Sequence, residues 1–249
     1  MPHQPATNTL YENLPRPGQG VDSCTREAIR LLPPLRTPPA IIDLGCGRGH
    51  QTVALASHFK APVIAVDDNQ TALDDLIDTA NAAGVEALIK PRLGSLTDIP
   101  DAPESFDLVW SENGVRTLGM ERALACWAPL LRKRGVLVVG DCCWVLPNPP
   151  AEAVTFWRDR YYPQMTDVAS VHAIAKHAGL RVYDTYTLPR SIWRSEYFEP
   201  LSRRIAKRRG EAAGDPRLDA DIHQAEAEIQ MFERWGDRFQ YMFYLMRPI

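Results

Sequence analysis

Asp43, Gly45, Gly47, Gly49 and Asp67 form the set in this chain that points most directly to chemistry. The glycines alternate behind an apolar run, Ala40-Ile41-Ile42, and the carboxylate that closes it. Glycine reaches positive φ without strain and leaves no Cβ between the backbone and a ligand. Where a helix starts behind such a turn, its first N–H groups point at that ligand. Asp67 stands about 20 residues beyond Gly47, the separation at which a carboxylate accepts hydrogen bonds from ribose hydroxyls. Together these residues place an adenosine-containing cofactor across the ends of two strands.

The elements that must hold them are legible on either side. Residues 40–43 read as a strand and 50–59 have helical composition, giving strand, tight turn, helix. A second apolar run, Pro62-Val63-Ile64-Ala65-Val66, carries Asp67 at its end. Behind it Asn69 is placed to cap a helix whose Leu73, Leu76, Ile77 and Ala80 share one face, and Gly84 stops it.

The glycine spacing selects among cofactors. A dinucleotide turn reads G-x-G-x-x-G, whereas this chain has Gly45-x-Gly47-x-Gly49 after Asp43. That D-L-G-C-G-x-G pattern resembles motif one of the class I S-adenosylmethionine-dependent methyltransferases. The resemblance implies S-adenosylmethionine as cofactor and S-adenosylhomocysteine as product, with Asp43, Gly45, Cys46 and Gly47 around the methionine half. Asp67 then takes the ribose, with Asp68 where the family usually has an apolar residue against adenine. Leu93-Gly94-Ser95-Leu96 resembles the family's adenine loop. There Gly94 makes the turn, Ser95 bonds the adenine edge in place of the commoner acid, and Leu96 gives an apolar face. Ser105-Phe106-Asp107-Leu108-Val109-Trp110 matches the family's F-D-x-V strand and ends at Ser111-Glu112-Asn113-Gly114. Ser111 and Glu112 are expected over the methionine portion or the methyl group. Glu112 is the candidate base wherever the acceptor must lose a proton.

A narrower resemblance, to the type 11 and ubiquinone/menaquinone-biosynthesis methyltransferases, rests on Trp110 to Gly114, on Phe156-Trp157 with Tyr162-Pro163, and on Leu188-Pro189, Trp193, Tyr197-Phe198 and Pro200. The family implies an α/β, Rossmann-like, seven-stranded sheet of order 3-2-1-4-5-7-6, its last strand antiparallel, with helices on both faces. A single domain, 1–249, is expected to divide into a lid or tail (1–20), a cofactor-binding core (21–188), a helical insertion (189–236) and a last strand (237–249). Tyr11, in the first part, is expected to close the site. Trp144, just past the fifth strand, is expected to wall the acceptor pocket.

Finer local expectations follow from the pattern. Asp22 or Ser23 should cap a helix running to Leu32, and Val85 to Pro91 should form the third strand. Met120 to Lys133 should be a helix split near Pro129, followed by a fifth strand over Val136 to Asp141. Leu218, Ile222, Ala225, Ile229, Phe232 and Trp235 make a helical stripe that either packs on the core or forms a homodimer contact. The run Arg203, Arg204, Lys207, Arg208 and Arg209 reads either as a solvated helix face or as a site for an anionic substrate.

Bulk properties narrow the partners. The 249 residues have a formal net charge of −3, which argues against general nucleic-acid binding. No apolar stretch reaches the length of a membrane span, and the N-terminus lacks a secretory pattern. The five cysteines are scattered, without zinc-site spacing, so no metal is expected. The reading is a reduced cytoplasmic protein whose partner is a small-molecule methyl acceptor. Its rivals are a non-catalytic S-adenosylmethionine-binding or scaffold protein of the same fold, and an NAD-dependent oxidoreductase with the wrong glycine spacing.

Overall fold

In the computed structural model the described residues are 10 and 21–249, apart from 147 and 161. The chain runs through α1 (Asp22–Arg30), β1 (Ile41–Leu44), α2 (His50–Phe59), β2 (Val63–Asp67), α3 (Gln70–Ala82) and β3 (Ile89–Leu93). It continues through β4 (Phe106–Glu112), α4 (Val115–Leu118), α5 (Met120–Trp127), β5 (Leu131–Trp144), α6 (Ala151–Arg160), α7 (Val168–His177) and β6 (Leu180–Thr187). Between β6 and β7 (Phe239–Pro248) lie α8 (Arg190–Trp193), a π-helical turn at Arg194–Phe198, α9 (Glu199–Arg208) and α10 (Pro216–Trp235).

The strands form one seven-stranded sheet of order β3-β2-β1-β4-β5-β7-β6. Neighbours pair in parallel from β3 to β5, and β7 is antiparallel to both β5 and β6. This is the order that the resemblance implied. β1 and β4 are buried along their whole length, as parallel strands covered on both faces must be. β1 pairs with β2 on one side and β4 on the other, so the winding reverses there and a crevice opens at the carboxyl ends.

Each face of the sheet carries its own core. On one, Cys24 and Ala28 of α1, Leu55 of α2, Leu73 and Leu76 of α3, and Trp193, Phe198 and Phe232 of the insertion pack together. On the other, Leu124 and Trp127 of α5 and Val171 and Ala175 of α7 cover the sheet. The stripe on α10 belongs to the first core: Leu218, Ile222, Ala225 and Phe232 are buried, and Phe198 stacks on Phe232 with centroids 4.1 Å apart. That answers the alternative left by the sequence, in favour of core packing. Arg203, Arg208 and Arg209 pair with Glu199, Glu211 and Glu226, the solvated helix face that the sequence suggested.

Five local expectations are corrected. Val21, not Asp22 or Ser23, is the N-cap of α1, and no side chain caps it. Asp22 opens the helix, where a carboxylate complements the helix dipole, and Ser23 donates to Glu196 at 3.0 Å. α1 ends at Arg30, short of Leu32. Residues 86–88 make a 3₁₀ turn, and β3 spans Ile89–Leu93 with Pro91 inside it; β3 is an edge strand, where a proline need not break a ladder. α5 ends at Trp127, because Pro129 diverts the chain into a short 3₁₀ turn. β5 therefore begins at Leu131, which puts Arg132 in the strand, 2.6 Å from Asp107.

Candidate functional site

Three backbone N–H groups of the glycine turn tie it to β2. The N–H groups of Gly45 and Cys46 donate to the Val66 carbonyl at 2.8 and 3.0 Å. Gly47 N–H donates to Asp67 Oδ2 at 2.8 Å, while Asn69 N–H donates to Oδ1 at 3.0 Å. Burial raises the Asp67 carboxyl above its ordinary range, and the Gly47 and Asn69 N–H groups oppose the rise. The half-buried Asp67 is thus fixed at the tip of β2, facing the turn.

The glycines serve two different needs. Gly49 has φ +83°, and a Cβ there would overlap the Leu76 side chain, so this glycine lets α2 and α3 approach. Gly47 has φ +52°, and nothing lies within 4 Å of where its Cβ would be. Open space in front of backbone pinned to a carboxylate is a cradle that a side chain at Gly47 would fill.

Asp43 and Cys46 build this turn from inside. Asp43 is fully buried and its Oδ2 accepts from Thr52 Oγ1 at 2.5 Å, bracing α2 against β1. Cys46 is 1% exposed, and burial pushes its thiol far above the ordinary range. Its carbonyl accepts from Gln51 Nε2 at 3.1 Å. Of the loop expected at adenine, Gly94 N–H donates to the Asp67 carbonyl at 3.0 Å, and Leu96 O accepts from Trp127 Nε1 at 2.7 Å. Leu96 Cδ1 would lie 3.5 Å from a Cβ on Gly45, so this apolar side chain borders the turn. Asp68 and Ser95 are exposed, and the Ser95 hydroxyl pairs with Thr97.

At the end of β4 the two expected residues face opposite ways, as neighbours on a strand must. Ser111 is buried and donates to the Leu44 carbonyl at 2.7 Å, clasping β4 to β1. Glu112, 3% exposed, accepts from Thr25 Oγ1 at 2.8 Å and from Trp110 Nε1 at 3.0 Å. Trp144 is buried at the end of β5, edge-on to Phe239 with centroids 6.3 Å apart. Tyr11 lies outside the described residues.

Two features escaped the sequence reading. The first is α1, which touches β4, β6, the insertion and the start of α2. Thr25 meets Glu112, Cys24 Sγ lies 3.7 Å from the Tyr186 hydroxyl on β6, Ser23 meets Glu196 of the insertion, and Asp22 lies 3.6 Å from His50 at the start of α2. Nothing local in Ser23-Cys24-Thr25 signals this. The second is Asp141, which burial lifts to about 7. A carboxylate at the end of an apolar strand was the signal used for Asp67, and Asp141 carries the same signal. Among the described residues no three His, Cys, Asp or Glu side chains gather as a metal-binding group.

Comparison with known proteins agrees with this geometry. A family model described as a methyltransferase domain matches residues 41–135, from β1 into β5. An O-methyltransferase of Penicillium expansum is 25% identical over 173 residues, covering 69% of this chain and 62% of that protein. The chain thus spans less than two thirds of that relative's length. A trans-aconitate 2-methyltransferase of Methylobacterium radiotolerans is 29% identical, covering 65% of this chain and 77% of that one. The structure of an S-adenosylmethionine-dependent methyltransferase from Thiobacillus denitrificans, in complex with S-adenosyl-L-homocysteine, superposes over 100% of both chains. Its TM-score is 0.79 at 14% identity, which establishes the shared fold.

Proposed function

We propose that this chain, which carries a methyltransferase domain over residues 41–135, moves a methyl group from S-adenosylmethionine to a small-molecule acceptor. The observation that carries the reading is the Gly47 cradle: open space beside a backbone N–H bonded to the Asp67 carboxylate. In this reading Asp67 accepts from the ribose hydroxyls, Leu96 lies against adenine, and Gly45 and Gly47 leave room for the methionine half. Asp43, Cys46 and Ser111 act from behind, holding the turn and the end of β4 in place.

When bound, the cofactor supplies a sulfonium methyl that needs no further activation. Held by Asp67, Gly45 and Gly47, it would offer that methyl for in-line displacement by an acceptor lone pair, the carbon–sulfur bond pair leaving with the sulfur. The protein's task is alignment and exclusion of water. Where the acceptor carries a proton on its nucleophile, Glu112 receives it; Thr25 and Trp110 hold that carboxylate in one orientation. Trp144 and Tyr11 are assigned to the acceptor side. The relatives' names, an O-methyltransferase and a trans-aconitate methyltransferase, support a small molecule as acceptor.

Calorimetric titration with S-adenosylhomocysteine and, separately, NAD tests the reading. One-to-one binding of the former and none of the latter is expected. Heat with NAD alone would turn the assignment to an oxidoreductase.

A further inference from the structure

A small cavity of mixed lining lies where β4 and β5 end, on the face away from α1. Val115, Arg116, Asp141, Tyr162, Gln164 and Tyr244 are among the residues that line it. It adjoins the glycine turn through a short piece of chain. A Cβ on Gly45 would lie 3.3 Å from Gly114 Cα, and Asn113 N–H donates to the Gly140 carbonyl at 2.8 Å. Val115 and Arg116 follow directly as one wall, and Asp141 follows Gly140 as another.

The lining polar groups are costly to leave idle. Asp141 is 4% exposed; one of its oxygens accepts from Cys142 N–H at 2.8 Å, and no Lys, Arg or His among the described residues forms an ion pair with it. Tyr244 is fully buried, and its hydroxyl lies against the Cys143 thiol. Burial lifts Asp141 to about 7, against the Cys142 N–H and the Arg116 charge. The fixed charges and titratable groups around Asp141 are Arg116 on α4, Cys142 and Cys143 on β5, Tyr162 behind α6, Tyr244 on β7 and Asp167 before α7.

The size and chemistry of the space select its occupant. Its volume of about 10 Å³ matches roughly one water-sized group, close to the ~10–15 Å³ that a buried water needs. A carboxylate or phosphate is therefore too large. With Asp141 ionised the occupant donates to it and can accept from Tyr244, and the Arg116 charge disfavours an ammonium. A hydroxyl meets all three conditions, with one donor and two acceptor sites on a single heavy atom.

We propose that this cavity is a subsite for a hydroxyl group of the methyl acceptor, received by Asp141 and Tyr244. The proposal rests on the methyltransferase reading and adds to it a feature of the acceptor. Asp141 here is a binding group, separate from the transfer step.

Saturation-transfer NMR on protein loaded with S-adenosylhomocysteine tests it, using alcohol probes from ethanol to benzyl alcohol, each paired with its methyl ether. The alcohols should bind and the ethers should not. Asp141→Asn should weaken alcohol binding by roughly tenfold or more, the range for a hydrogen bond to a charged group, and Tyr244→Phe by roughly two- to tenfold. Calorimetry on the same samples should show S-adenosylhomocysteine binding unchanged in both variants. Equal binding of ethers, alcohol binding indifferent to both substitutions, or a cavity that holds only water in loaded wild-type protein would overturn the subsite. Tyr244→Phe removes one oxygen and keeps the test decisive should Asp141→Asn fold poorly. Loss of S-adenosylhomocysteine binding by the wild type would refute the methyltransferase reading instead.

Discussion

Gly47→Ala and Gly49→Ala should fail in opposite ways, though they lie in one turn. Both positions have positive φ, +52° and +83°, which costs a residue with a Cβ roughly 1–2 kcal/mol. At Gly49 the new methyl also collides with Leu76, whose Cγ would be 3.0 Å and Cβ 3.1 Å away. Overpacking of that kind adds about 1–3 kcal/mol. Gly49→Ala should therefore lose about 2–5 kcal/mol in all, and Gly47→Ala about 1–2 kcal/mol. For a domain of this size each kcal/mol lowers Tm by roughly 2–4 °C, so the two variants separate in a thermal melt. Binding should rank the other way. At Gly47 the methyl enters the open space assigned to the cofactor, and S-adenosylhomocysteine affinity should fall by about tenfold or more, a loss of ~1.4 kcal/mol. Gly49→Ala, once folded, should bind within a few-fold of wild type. Scanning fluorimetry and calorimetry on the same preparations read both quantities. Wild-type affinity in Gly47→Ala, or wild-type melting in Gly49→Ala, would refute the division of labour.

Three further outcomes are expected. Asp67→Ala should weaken S-adenosylhomocysteine by at least roughly tenfold, since hydrogen bonds to a charged acceptor are worth ~1.5–3 kcal/mol; unchanged affinity in calorimetry would move the ribose elsewhere. Thr25→Val removes a donor from the buried Glu112, and denaturant unfolding should show a loss of about 1–3 kcal/mol, whereas no change would mean that α1 is not held there. Asp141 titrates at about 7 against an ordinary value of 3.8, so between those limits the unfolded chain gives up the proton first. Stability should fall as pH rises from about 4 to about 7, by up to roughly 4 kcal/mol from this group, and level off above. Asp141→Asn should flatten that decline in urea titrations across the range, and an unaltered slope would contradict the buried carboxyl.

How much could be read from the sequence varied with how local the cause was. The turn at Gly45 to Gly49, Asn69 as a helix cap and Gly84 as a stop depend on neighbours in sequence, and all stand in the structure with Asn69 accepting from Thr71 N–H. The strand order came from resemblance and not from any local pattern. Boundaries slipped where tertiary pairing overrode the pattern: Arg132 looks like the charged end of a helix, yet Asp107 draws it into β5. Asp43 and Cys46 are expected near the cofactor because they sit in the motif, and that their side chains are buried behind the turn could not be read from the motif. The reach of α1 was invisible, since its contacts join residues far apart in the chain: 87 positions separate Thr25 from Glu112, and 173 separate Ser23 from Glu196.

A crystal structure of the protein grown with S-adenosylhomocysteine tests the central claim most directly. The account predicts the ribose hydroxyls on the Asp67 carboxylate, the adenine beside Leu96, and the methionine half crossing Gly45 and Gly47 toward the end of β4. A ligand lying elsewhere, with the space before Gly47 empty, would contradict it.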